Sequence, residues 1–312
     1  MSGRLANPSQ AVIRMQRILC GVDFSDFSRH ALAHAAAIAR WYKATVTLFH
    51  AHAPAMSPDM GAGPGASEPF VQAGQRDRLL QELTRFAESA GAADVPIVCE
   101  VWPGPAIRGI LERAASLPAD LIVLGTYGRS GVDRLMLGSV AEKVLRKAAA
   151  PTLTVPPPAA APGVPATTPF ARILCPVDFS ESSMKAVAYA LSLAREAGAY
   201  LILMHVVEGV SNTEHWKQPD PMLLRYLKNA EEQALGRLRE AVSAGASQAS
   251  RPEMILTTGK AYRQILDVAA ARDIRLIVMG VHGRGPLNLV LFGSTTEHVV
   301  RMASCPVLTL RA

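Results

Sequence analysis

The chain has 312 residues, 49% hydrophobic and 19% charged, with 32 Lys and Arg against 26 Asp and Glu. That length suits two domains, the apolar content excludes a disordered chain, and four cysteines with no C-x-x-C pair exclude a disulfide framework or a thiolate zinc site. The formal charge of +6 admits an anionic partner, yet residues 1–155 and 156–312 carry +3 each, with no Lys/Arg run, so no nucleic acid is expected. Arg4, Arg14 and Arg17 break up the start of the chain, so no secretory signal is expected there. The uncharged stretch 148–171 holds seven prolines and cannot be a membrane helix. A soluble, cytoplasmic protein is expected.

The chain contains itself twice. Arg17-Ile-Leu-Cys-Gly-Val-Asp-Phe-Ser25 returns as Arg172-Ile-Leu-Cys-Pro-Val-Asp-Phe-Ser180, and the same shift of 155 maps His50 onto His205, Gly104 onto Gly259 and Pro151 onto Pro306. In chain order, 18–22 and 173–177 are short apolar runs ending at Asp, as buried strands do. A helix follows, with Leu32, Ala35, Ala36 and Ala39 on one face and Ser25 or Ser28 as its cap. Residues 46–49 and 201–204 read as second strands, 75–89 and 223–244 as second helices, and 97–101 and 254–257 as third strands. The longer helix 223–244 mixes Arg, Lys and Glu and reads as a solvated face. Pro105 suits the start of a third helix, 121–124 and 276–279 are apolar fourth strands, and final helices begin near Ser139 and Ser294. Thr152–Val155 and Val307–Leu310 close each copy as last strands.

Strand–helix alternation predicts an α/β fold: two repeated domains, each a five-stranded parallel sheet with helices on both faces. The domains span 1–156 and 170–312, joined by a Pro-rich linker, 157–169, that favours extended polyproline II.

The informative motif is G-x2-G-x9-G-S, present as Gly125, Gly128, Gly138, Ser139 and as Gly280, Gly283, Gly293, Ser294. The first glycine ends a strand, where a positive φ and a close backbone approach are available. The third opens a helix, whose free N–H groups and positive terminus suit phosphate oxygens. Ligands of open α/β sheets lie beyond the carboxyl ends of the strands, where Asp23 and Gly125 emerge.

Ile-Leu-Cys-x-Val-Asp-Phe-Ser, the Leu-x-His of the second strand, Leu-Ile-Val-x-Gly before the glycine motif and Gly-Ser-x-x-Glu-x-Val-x-Arg at its end together resemble the universal stress protein family, twice over. The resemblance implies a Rossmann-like fold of the adenine-nucleotide alpha hydrolase kind and ATP binding in each half, with Mg2+ accompanying the triphosphate. It places Asp23 and Asp178 by the ribose or adenine, the backbone at Ala51 and Val206 on the adenine edge, and Gly125 and Gly280 on the ribose side. Gly128, Gly138, Ser139 and Val140 would cradle phosphates in one copy, and Gly283, Gly293, Ser294 and Thr295 in the other. It also implies pairing of the two halves through their last strands or a homodimer, and an unidentified protein partner. Tyr127 opposite His282, and Ser130-Gly131 opposite Gly285-Pro286, depart from a strict repeat.

No P-loop and no G-x-S-x-G elbow is present, and no nucleophile stands beside an evident base, so no catalytic residue is assigned. Asp23 and Asp178 read as hydroxyl acceptors. The expected function is nucleotide-dependent regulation in the stress response without essential catalysis. The alternative is a slow ATPase or nucleotidyl-transfer enzyme using the same cradle. His30 and His34 share a helix face, but Lys185 and Tyr189 replace them in the second copy, so no metal site is expected. Cys20 and Cys175 read as small core residues, and Arg129 and Arg284 either as phosphate ligands or as solvated side chains.

Overall fold

The structure is a computed structural model and describes residues 13–52, 73–126, 137–157, 170–208, 221–243, 252–281 and 293–311. The chain divides into two compact units, with the boundary inside the proline-rich segment 157–169.

The first unit runs β1 (Arg17–Gly21), α1 (Asp26–Tyr42), β2 (Thr45–His52), α2 (Ala73–Ser89), β3 (Ile97–Pro103), α3 (Ala106–Ser116), β4 (Leu121–Gly125), α4 (Ser139–Lys147) and β5 (Thr152–Val155). Its strands lie in the order β3-β2-β1-β4-β5, every pair parallel. The second unit repeats this with β6 (Arg172–Pro176), α5 (Glu181–Ala197), β7 (Tyr200–Val207), α6 (Pro221–Ser243), β8 (Glu253–Thr258), α7 (Ala261–Ala271), β9 (Leu276–Gly280), α8 (Ser294–Met302) and β10 (Val307–Leu310). Its order is β8-β7-β6-β9-β10, again parallel. The predicted α/β architecture holds in both halves.

Neighbouring strand residues face opposite sides of a sheet, so unbroken burial along a strand means that both faces are covered. Leu121, Ile122, Val123 and Leu124 of β4 are all buried, as are Leu276, Ile277, Val278 and Met279 of β9. Local chemistry sets the helix ends. Ser25 and Ser180 cap α1 and α5 by accepting the N–H of Ser28 and Ser183, which settles the choice between Ser25 and Ser28. The same two helices end on left-handed residues, Lys43 and Gly198.

The order of strands reverses at β1 and at β6: connections leave to β2–β3 on one side and to β4–β5 on the other. That switch point opens a crevice at the carboxyl ends of β1 and β4, and of β6 and β9. The second strands run further than their apolar runs predict, to His52 and Val207. The extension supplies one wall of the crevice.

Candidate functional site

The corner after the first strand is built by Asp-Phe-Ser. Asp23 Oδ1 accepts the Ser25 N–H (3.1 Å) and the Ser25 hydroxyl (2.5 Å), and Asp178 Oδ1 does the same with Ser180 (2.9 and 2.6 Å). An Asp bonded to the amide two residues on forms an Asx-turn. The intervening Phe24 and Phe179 are forced to φ 64°, a region costly for a side-chain-bearing residue and characteristic of functional corners. Among the described residues Asp178 Oδ2 has no protein partner, so this carboxylate keeps an oxygen for a ligand hydroxyl.

The second strand overruns the first. Val22 N–H donates the last bond to the Phe49 carbonyl (2.9 Å), and Val177 N–H to that of Met204 (2.7 Å). Two residues on, with the same parity, Ala51 and Val206 direct their peptide groups to the side where β1 and β6 have ended. Both histidines between are tied down. His50 Nδ1 is bonded to the Val22 carbonyl (2.9 Å) and His205 Nδ1 to Val177 (2.6 Å). A carbonyl only accepts, so Nδ1 carries the proton. The two imidazoles lie 4.6 and 4.9 Å from the Phe24 and Phe179 rings.

The glycines bring the fourth strand and the last helix together. Gly138 N–H donates to Thr126 (2.7 Å) and Gly293 N–H to Val281 (3.0 Å), which anchors the starts of α4 and α8 at the ends of β4 and β9. Gly138 and Gly293 cap these helices without a side-chain hydrogen bond, so among the described residues no cap side chain takes the first-turn amides, which suit an external acceptor. A Cβ on Gly293 would sit 2.9 Å from the Val281 carbonyl oxygen. Gly280 corrects one expectation: it does not adopt a positive φ. It is needed because a Cβ there would meet Ser182 Oγ at 2.5 Å and the Ser183 amide nitrogen at 2.8 Å, where α5 begins. Gly128 and Gly283 of the motif, with Tyr127, Arg129, His282 and Arg284, lie outside the described residues.

In the second half these pieces enclose a cavity of about 670 Å³. Asp178, Val206, Gly280, Gly293, Ser294 and Thr295 all line it. Volumes of roughly 300–1,000 Å³ hold small-molecule ligands. Sequence reasoning missed the wall contributed by α6. That helix is not simply a solvated face: Ala234 and Leu238 are buried, Gln233, Ala234 and Arg237 line the cavity, and the Arg237 guanidinium lies 3.9 Å over the Phe179 ring. A mixed-charge helix gives no sequence signal of which cation faces a cleft.

The chain matches the universal stress protein family over residues 15–156 and again over 169–311. It belongs to that family. Membership carries a role in the stress response. A universal stress protein of Mycolicibacterium smegmatis is 26% identical over 297 residues, covering 94% of this chain and 96% of the relative. One from Methanocaldococcus jannaschii is 33% identical over 143 residues, 46% of this chain and 83% of the relative. Among solved structures, a universal stress protein from Archaeoglobus fulgidus superimposes with a TM-score of 0.61 at 18% identity, covering 95% of this chain and 98% of that one, which supports the fold.

Outside the crevice, several reactive groups of this universal stress protein are shut in. Burial pushes the Cys20 thiol up to about 12 and raises Cys175 as well, so neither is a thiolate near neutral pH. His34 is bonded through Nδ1 to the His30 carbonyl (2.9 Å) and is pulled down to about 4 by burial. No helix among the described residues is long and apolar enough to cross a membrane.

Proposed function

We propose that this universal stress protein binds ATP in the crevice of each half and acts through its ligand state, read by a protein partner, rather than through turnover. The observation that carries this reading is the second-half cavity, which gathers six of the seven positions expected to hold the nucleotide there. The groups fit the ligand's parts. Asp178 offers a carboxylate oxygen to a ribose hydroxyl, and Val206 offers strand-edge peptide groups to a base. Ser294 and Thr295 offer amides at the helix start that Gly293 opens to phosphates, with Mg2+ accompanying the triphosphate. The first half repeats the same backbone with Asp23, Ala51, Gly125, Gly138, Ser139 and Val140.

Calorimetric titration with ATP, AMP and cAMP tests this. ATP is expected to bind at two sites per chain, and Gly138→Val to remove one of them while the other persists. No heat with any nucleotide would overturn the reading. Steady ATP turnover by the purified protein would favour instead a slow ATPase or nucleotidyl-transfer enzyme.

A further inference from the structure

The shift of 155 residues pairs each position of the second cavity with one in the first half, and about half of the wall is repeated: Asp178 with Asp23, Phe179 with Phe24, Ile265 with Ile110, Ser294 with Ser139. The wall from α6 is not. The same shift carries Leu83 onto Leu238 and Ala87 onto Val242, all four buried, so α2 and α6 pack in register. Between these fixed points Glu82 falls on Arg237, Arg78 on Gln233 and Phe86 on Ala241. In the first half the buried Phe86 ring meets Phe24 edge-on, with centroids 5.7 Å apart at 89°. In the second half the corresponding residue in the sequence is Ala241, and the guanidinium of Arg237 covers Phe179. A guanidinium seated on an aromatic face is oriented by it, while its in-plane N–H groups stay available to an acceptor. The nearby Glu208 does not neutralise it by direct pairing: its Oε1 accepts the Ala261 N–H (2.9 Å) at the start of α7.

We propose that Arg237 is a ligand-contacting cation of the second site and that, because the first half carries Glu82 at that position, the two sites of one chain bind ATP with unequal affinity, the second more tightly. This rests on the reading of each crevice as an ATP site. The ligand is polyanionic, so a guanidinium aimed at it favours binding where a carboxylate opposes it. The two walls balance in overall charge, Arg78 standing opposite Gln233 and Ala53 opposite Glu208, so the difference rests on direct contact by Arg237 rather than on net field.

Titration of the full chain with ATP is expected to resolve two classes of site about tenfold apart, the size of one charge-assisted hydrogen bond. Arg237→Gln should bring the tight class down to the weak one, with Arg237→Lys falling between. Glu82→Arg should raise the weak class. Both positions are exposed, so Glu82→Arg should melt with the parent and Arg237→Gln should lose no more than the small contribution of its contact with Phe179. Two equal sites in the parent, or a tight class that survives Arg237→Gln while ATP still binds twice, overturns this inference and leaves the ATP reading standing. Absence of ATP binding in the parent overturns both.

Discussion

Burial of His34 in α1 lowers its pKa from 6.5 to about 4, against an opposing hydrogen bond to the His30 carbonyl. The unfolded chain takes up this proton near pH 6.5, whereas the folded one resists until about pH 4. Stability is therefore complete above pH 6.5 and falls as the pH drops through that window, by up to about 3 kcal/mol. Urea midpoints measured at intervals from pH 7.5 to 4.5 should decline, and His34→Leu should flatten the decline. Gly280 offers a second test at this scale. Its missing Cβ leaves room for the backbone of Ser183, so Gly280→Ala should cost about 1–3 kcal/mol in chemical denaturation. Individual residues were also the least legible in the sequence. Nothing in a helix of Arg, Lys and Glu marks Arg237 as the one that covers Phe179, because the choice is made by an element 58 positions away. Gly280 was legible as a required glycine for the wrong reason: local spacing suggests a backbone conformation, whereas the constraint is the approach of α5.

Elements were legible wherever a local rule governs them. The Asp-Phe-Ser string contains an acceptor, a corner residue and a cap in three positions, and the starts of α1 and α5 follow directly from it. Ser25→Ala and Ser180→Ala should each lower stability by about 1 kcal/mol in thermal melts. Each should also weaken nucleotide binding, since the same hydroxyl holds the neighbouring aspartate in place. The glycine-initiated helices α4 and α8 were equally readable, because a Gly-Ser pair directly precedes an amphipathic run in each copy. The lengths of β2 and β7 were not. Their final residues, His50-Ala51-His52 and His205-Val206-Val207, pair with β3 and β8 beyond the end of the first strand, and no local pattern announces a partner that arrives some fifty residues later.

At the scale of the molecule, a duplicated sequence gives a duplicated topology, and the repeat made the architecture readable before any single element was. Ligand occupancy should show in global stability as well. A nucleotide that binds the folded chain alone raises its stability by about 2.7 kcal/mol per site at a hundred times its Kd. Thermal midpoints should climb with ATP concentration, and less so in Gly138→Val. The shared Arg-Ile-Leu-Cys of β1 and β6 has a price in assembly. Each occupies the same slot, between β2 and β4 or between β7 and β9, so a fully denatured chain returning to buffer holds two competitors for either slot. Synthesis on the ribosome removes the contest by timing. β5 ends at Val155, so every strand of the first sheet has been made before Arg172 opens the rival strand, and a domain generally closes as its own segment emerges.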